Sequence, residues 1–279
     1  MSFRTVLVML DDNPRCDVRV RIAARLATRH DAHLVGVAPT GLPDLTPGLA
    51  ASRSIDDAAT ARAKAVHGAG DHVARFHLRC KAEGVASARA HVHEGDKAAV
   101  VLHHAHCADL VVISQVAPDD VSHWNQARMV EQVLLRNPRP TLVVPHAGGF
   151  DTVGDTVLIA WDDSPGCARA VADALPLLRR ARRVHLRVWH RPGEVDEGLI
   201  GQRMEDVYQW LVRQGVAADV QVIGTREPIG EAILHKAAGL DADLVVMGTY
   251  GHSRWTERIV GGATRTALAR SPVPLLMSH

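Results

Sequence analysis

The sequence predicts an α/β protein of two repeated domains, each a doubly wound parallel sheet of Rossmann-like type. Three observations carry this. Apolar, strand-like runs alternate with helix-like amphipathic stretches along the whole chain. The strands are apolar at nearly every position, as when both faces of a parallel sheet are covered. The two halves also repeat each other. Ala108-Asp109-Leu110-Val111-Val112 falls on Ala242-Asp243-Leu244-Val245-Val246 at an offset of 134, and VLVMLDDNPRC (6–16) falls on VLIAWDDSPGC (157–167) at an offset of 151. The offsets differ by 17, so the second copy is shorter in its middle. One long-period duplication is expected, not a solenoid of short repeats.

The first repeat opens with a buried strand, Thr5–Leu10, followed by the turn residues Asp11-Asp12-Asn13-Pro14, which can cap a helix. The helix Cys16–Arg29 carries Val18, Ile22 and Leu26 at helical spacing. A strand at His33–Ala38 precedes a proline- and glycine-bearing loop, 39–54, and an alanine-rich helix over 55–83. Ala88–Val92 is a strand, and Gly95-Asp96 opens a helix that ends near Ala105. Leu110–Ser114, a helix over 127–136 and the strand Thr141–Val144 complete the domain.

Residues 146–155, HAGGFDTVGD, read as a short linker, which sets the domains at 1–147 and 148–279. The second repeat gives a strand at Thr156–Trp161, a helix over 166–181 and a strand at Val184–Val188. A loop over 190–197, a helix over 198–213, a strand at Ala218–Ile223 and a helix over 228–238 follow. The strand Leu244–Met247, a glycine loop, a helix over 262–270 and the strand Leu275–Met277 end it. The final strands of the repeats, each preceded by proline (Pro140, Pro274), are short and apolar. Exposed, such edges would invite aggregation, so the two are expected to pair with each other inside the chain as a pseudo-dimer. A homodimer of the whole chain is a further possibility.

Bulk properties exclude several classes. A formal net charge of +1 argues against a nucleic-acid binder. The four cysteines, Cys16, Cys80, Cys107 and Cys167, form no CxxC pair, which suggests a reducing compartment and no zinc ribbon. No segment approaches the ~20 apolar residues of a membrane helix, and the first apolar run is too short for a signal sequence. A cytoplasmic location is expected, with no membrane partner.

The chemistry concentrates at 248–262, GTYGHSRWTERIVGG. Gly248 and Gly251 follow a strand, and Gly261 and Gly262 open a helix. Glycine lets backbone approach a ligand closely, and N–H groups at a helix start attract phosphate. Ligands of doubly wound sheets bind beyond the carboxyl ends of strands, where Asp162 and Gly248 both fall. In the first repeat the four glycine positions hold Ser114, Ala117, Ala127 and Arg128, while Asp11 and Asp12 persist.

Over nearly all of both halves the chain resembles the universal stress protein family in its tandem form. The resemblance rests on the opening strand with Asp162-Asp163-Ser164, on ADLVVMGTYGHSR, on the G-x2-G-x9-G pattern and on the terminal SPVPLLM. It implies five-stranded parallel α/β domains, of which many bind ATP. It further implies that Asp162 and the backbone of Ala160-Trp161 face ribose and adenine and that Val188 faces adenine. Met247, Gly248 and Gly251 would line sugar and phosphates, and Gly261, Gly262 and Ala263 would offer N–H groups to phosphate. The family usually carries Ser or Thr where this chain has Gly262. A hydroxyl is lost there, and Thr264 lies close enough to substitute.

The function expected is therefore a nucleotide-binding stress-response or regulatory protein with one ATP site, in the second repeat, and no such site in the first. Alternatives are an interaction protein that binds no nucleotide and a slow ATPase using Asp162 or His252. Arg254, Arg258 and Arg265 are candidates for a phosphate contact. The sequence holds no GxxxxGK[ST] loop, no GxGxxG after the first strand and no GxSxG elbow. No catalytic residue or metal ligand is assigned. His91 and His93 share a strand face, and His103 shares a helix face with His106 or Cys107. A metal site joining them is conceivable, but the lone-histidine surface reading is preferred.

Overall fold

Aliphatic and β-branched runs form the strands, and the segments between them form helices with one buried stripe each. The structure is a computed structural model that describes residues 2–42, 55–117, 123–193, 197–249 and 262–279. It divides into two compact units, one of residues 2–114 and 125–139, the other of residues 115–124 and 140–279.

In the first unit, β1 (Thr5–Met9), β2 (His33–Pro39), β3 (Ala88–His93) and β4 (Leu110–Ser114) run parallel in the order β3-β2-β1-β4. The helices are α1 (Cys16–His30), α2 (Ile55–Ala82), α3 (Lys97–Ala105) and α4 (His123–Arg136). β1 and β4 are buried along almost their whole length, as strands covered on both faces must be. α1 buries Val20, Ile22, Ala23, Leu26 and Ala27 and stops at Asp31, whose left-handed backbone (φ 52°) returns its N–H to Ala27 and Thr28.

The second unit contains β5 (Thr141–Val144), β6 (Thr156–Trp161), α5 (Pro165–Leu178), β7 (Arg183–His190), α6 (Glu197–Arg213) and β8 (Asp219–Gly224). α7 (Ile229–Gly239), β9 (Leu244–Gly248), α8 (Gly262–Arg270) and β10 (Leu275–Ser278) follow. Its strand order is β5-β10-β9-β6-β7-β8. The pairs are parallel except β5 with β10, which run antiparallel with Thr141 opposite Met277 and Val143 opposite Leu275. The last strand of the first repeat thus covers the last strand of the second.

Each unit pins its register with one aspartate at the foot of a central strand. The Asp109 carboxylate accepts the backbone N–H groups of Arg4 (2.7 Å) and Thr5 (2.9 Å). Asp243 accepts those of Gly154 (3.1 Å), Asp155 (2.9 Å) and Thr156 (2.9 Å). The entry of β1 is tied to β4 and that of β6 to β9, so Val157 pairs with Leu244 and Ala160 with Met247.

Some boundaries differ from expectation for local reasons. α4 begins at His123, because nothing between His123 and Ala127 breaks a helix. α5 ends at Leu178, where the bonding tightens to i→i−3, with Arg180 N–H returning to Leu177 and Ala181 N–H to Leu178. β7 runs on to His190 because β8 supplies partners, Ile223 and Gly224, for Trp189 and His190. The Asp11–Pro14 turn does not cap α1: the Asp11 and Asn13 side chains accept from the backbone N–H of Asn13 and Arg15 instead, and Arg15 at the helix start makes no side-chain cap.

The carboxyl end of β1 carries a feature with no counterpart in the second repeat. Arg19 is fully buried and donates to the Met9 carbonyl (2.8 Å), the Ser114 hydroxyl (2.6 Å) and the Asp11 carboxylate (2.6 Å). At the 151-residue offset the second repeat has Ala170. Burial alone would raise the Asp11 pKa, but Arg19 and Lys97 outweigh it and hold the carboxyl below its usual range. A depressed folded-state pKa stabilises above about pH 4 and loses that contribution as pH falls through the folded value.

Asp11→Ala leaves the buried guanidinium unpaired and is expected to cost about 3–5 kcal/mol in urea unfolding of the first unit, whereas adding Arg19→Met should recover most of the loss. If Asp11→Ala unfolds like the parent chain, the pair carries no such weight. A fragment beginning at residue 148 lacks β5 and exposes the edge of β10. It is expected to self-associate in sedimentation velocity, and a fragment that stays monomeric at high concentration would contradict this role for β5.

Candidate functional site

β6 delivers Trp161 to the carboxyl edge of the sheet, and a tight turn starts α5. Ser164 caps that helix, its hydroxyl accepting from the Cys167 N–H at 3.1 Å. The Asp162 carboxylate accepts from the Ser164 N–H (3.1 Å) and hydroxyl (2.6 Å), so it organises the turn and leaves the capping to Ser164. Asp163 sits in the left-handed region at φ 61°, an uncommon place for a residue with a Cβ, and its carboxylate pairs with Arg203 of α6 at 2.8 Å.

β9 ends beside this turn at Gly248. A Cβ on Gly248 would lie 2.6 Å from the Cys167 backbone nitrogen and 3.0 Å from the Gly166 carbonyl carbon. This glycine is therefore demanded by close approach of β9 to the start of α5, whatever binds nearby. Gly262, the first residue of α8, differs: a Cβ there would meet nothing within 4 Å. Cys167 is inert. Burial pushes its thiol up to about 12, and its Sγ donates to the Ala160 carbonyl at 3.3 Å.

Two cavities open at this edge. The smaller, about 130 Å³, is lined by Ala160, Trp161, Asp162, Met247, Gly248, Gly262, Ala263 and Thr264, with Trp189, Ile229 and Ile233. The larger, about 580 Å³, shares Trp161, Asp162, Trp189, Ile229, Gly262 and Ala263 and adds Val188, Arg191, Ile200, Arg203 and Met204 among others. Its size suits a small organic ligand. Two indoles and aliphatic side chains offer faces for a planar ring, Asp162 offers an acceptor, and Arg191 and the start of α8 offer positive potential.

The residues expected at the site fall as follows. Ala160, Trp161, Asp162, Val188, Met247, Gly248, Gly262, Ala263 and Thr264 line one or both cavities. Gly251, Gly261, His252, Arg254 and Arg258 lie outside the described residues. Arg265 is exposed and lines neither cavity. Trp189, Arg191, Ile200, Arg203 and Met204 were not foreseen. They belong to the stretch in which the two repeats lose their common offset, so the first copy offers no template for them.

The corresponding edge of the first unit is different. Ser114 stands where the second repeat has Gly248, and the Arg19 guanidinium fills the space between Ser114 and Asp11. A cavity of about 400 Å³ remains, walled by Asp11, Asp12, Asn13, Cys16, Arg75 and Phe76. Among the described residues no three His, Cys, Asp or Glu side chains are placed to hold a metal ion. His91 and His93 meet His103 and His104 rather than His106 or Cys107.

Comparison with known proteins follows the same lines. A family model described as the universal stress protein family matches residues 2–145 and again 154–279. A universal stress protein from Archaeoglobus fulgidus DSM 4304 has the same fold, at TM-score 0.76 and 16% identity over 98% of this chain and 97% of that one. A protein of unknown function from Pseudomonas aeruginosa PAO1 superposes at TM-score 0.62 and 16% identity, over 99% and 92%. A universal stress protein solved in complex with cAMP covers 53% of this chain and 100% of its own, at 19% identity and TM-score 0.41. No curated protein matches the sequence. Among the described residues no helix is long and apolar enough to cross a membrane. With both repeats matched by one family model and the whole chain sharing that fold, the chain belongs to the universal stress protein family in its tandem, two-domain form.

Proposed function

We propose that the second repeat binds ATP, at one site per chain, and that occupancy regulates the protein's associations in a stress response, with little or no turnover. One observation carries this reading. Four separated segments, at the ends of β6, β7 and β9 and at the start of α8, bring nine expected residues onto two adjoining cavities. The arrangement matches what a nucleotide needs: apolar faces for the base, a carboxylate within reach of ribose hydroxyls and a helix start for phosphate. The first repeat lacks the glycines, and its carboxyl-edge cation, Arg19, is already neutralised by Asp11. Asp162 is engaged with Ser164 in the resting structure, and the Cys167 thiol is held protonated, which fits a binding site better than a catalytic one.

Calorimetry of the full chain with ATP is expected to give one site. ATP at 100 times its dissociation constant should add about 2.7 kcal/mol of stability in thermal unfolding. Two equal sites per chain, or no heat and no shift, would overturn the reading. Gly262→Ser restores the hydroxyl usual in the family at a position with open space around it, so affinity should hold or rise. A marked fall would show that the site needs the bare backbone. Gly248→Ala is expected to destabilise the unit by about 1–3 kcal/mol without ligand, through the clash with the Cys167 backbone. Lost ATP binding in that variant with unchanged unfolding would instead make Gly248 a pure ligand contact.

A further inference from the structure

The first unit gathers four imidazoles at one corner. His91 and His93 project from β3, and His103 and His104 from the last turn of α3. His93 Nδ1 and His104 Nε2 lie 2.9 Å apart, so one ring donates to the lone pair of the other. The His91 and His104 rings stack at 5.6 Å with 17° between planes, and His103 lies edge-on to His93 (5.7 Å) and His104 (5.2 Å). With no three of these groups placed around a common point, the chemistry the cluster offers is protonation.

We propose that this cluster is a proton-operated joint, which ties the last turn of α3 to β3 while its rings are neutral and frees that turn on acidification. The charged groups around it favour that response. Arg89, on the same strand, adds positive potential. The carboxylate at the end of β3, Glu94, is already held by Arg62 of α2 through bonds of 2.6 and 2.7 Å. On β2 the residues paired with His91, Val92 and His93 are Val37, Ala38 and Pro39, none charged. Lys97, at the start of α3, faces Asp12 (3.2 Å) and Asp11 (3.7 Å). A first proton can be shared, because a charged ring still donates to a neutral one. A second puts N–H against N–H at the 2.9 Å contact and charge against charge in the stack.

Burial, then His93, His103, His91 and Arg89, pull the His104 pKa down from 6.5 to about 4. A depressed imidazole pKa means the opened form takes up the proton first. Protection is therefore complete above about pH 6.5 and drains away toward pH 4, by up to about tenfold per pH unit for each proton bound on opening.

Hydrogen exchange of the full chain, corrected for intrinsic rates, tests this at about pH 7.5 and about pH 5. Peptides spanning 88–105 should lose at least tenfold protection on acidification, while peptides from β6 keep theirs. His104→Gln keeps a polar partner for His93 but cannot charge, and should keep its protection at both pH values. Should that variant fail to fold, His104→Asn, which also cannot charge, serves the same comparison. Protection of 88–105 that persists at the lower pH, that falls in step with β6, or that still falls in the glutamine variant would overturn the proposal.

Discussion

The alignment of β6 with β9 is the constraint from which the site follows, and one carboxylate sets it. Asp243 collects three backbone N–H groups at the entry of β6, which fixes where that strand begins relative to β9. Four residues of parallel pairing then bring Ala160 beside Met247, and the ends of the two strands, Asp162 and Gly248, emerge at one edge. In a parallel ladder a slip of one residue would turn every side chain to the other face and carry Asp162 out of step with Gly248. A carboxylate accepting several N–H bonds is a strong, charge-assisted anchor against such a slip. Asp109 does the same for β1 and β4, so both crevices inherit their geometry from the same device.

Given the same scaffold, the two repeats have used the carboxyl edge differently. In the second, small residues, Ala170 in α5 and Gly248 in β9, let strand and helix close together and leave the space beyond them open. In the first, Arg19 and Ser114 stand at those positions and form a buried polar knot with Asp11 and the Met9 carbonyl. A buried ion pair of this kind gains little over a well-packed apolar core and is costly only when half of it is removed. Its consequence here is chemical: the cation nearest the strand ends is satisfied internally, not held out to an anionic ligand. The duplication has in this sense produced one open crevice and one internally closed one.

The β5–β10 pair explains why the strand that ends the first repeat clusters with the second unit. β10 is four residues long, fully buried, and paired with β9 on one side only. Its other edge carries free N–H and C=O groups that need a partner, and the equally short β5 supplies it. Tandem duplication provides that partner at a fixed stoichiometry of one per chain.

What the sequence determined by itself was the periodic part of the molecule. Alternation of apolar runs and amphipathic stretches, checked against a second copy, located every helix and strand of the described residues to within a few positions. The largest errors fell where a local rule had no echo in the other copy, as at the start of α4 and the end of α5. The repeat also pointed to the carboxyl ends of β6 and β9, because glycines present in one copy and absent from the other mark a local demand on backbone. Only the tertiary structure decided what that demand was. Gly248 answers to the α5 backbone 2.6 Å from its missing Cβ, while Gly262 faces open space, and nothing in a string of glycines separates the two. Nor could it show Trp189, Arg203 and Met204 lining the cavity, Arg19 reaching Ser114 across 95 positions, or His104 joining His93. Periodicity is a property of neighbours along the chain. Those contacts are made between residues brought together only after the sheet has set their register.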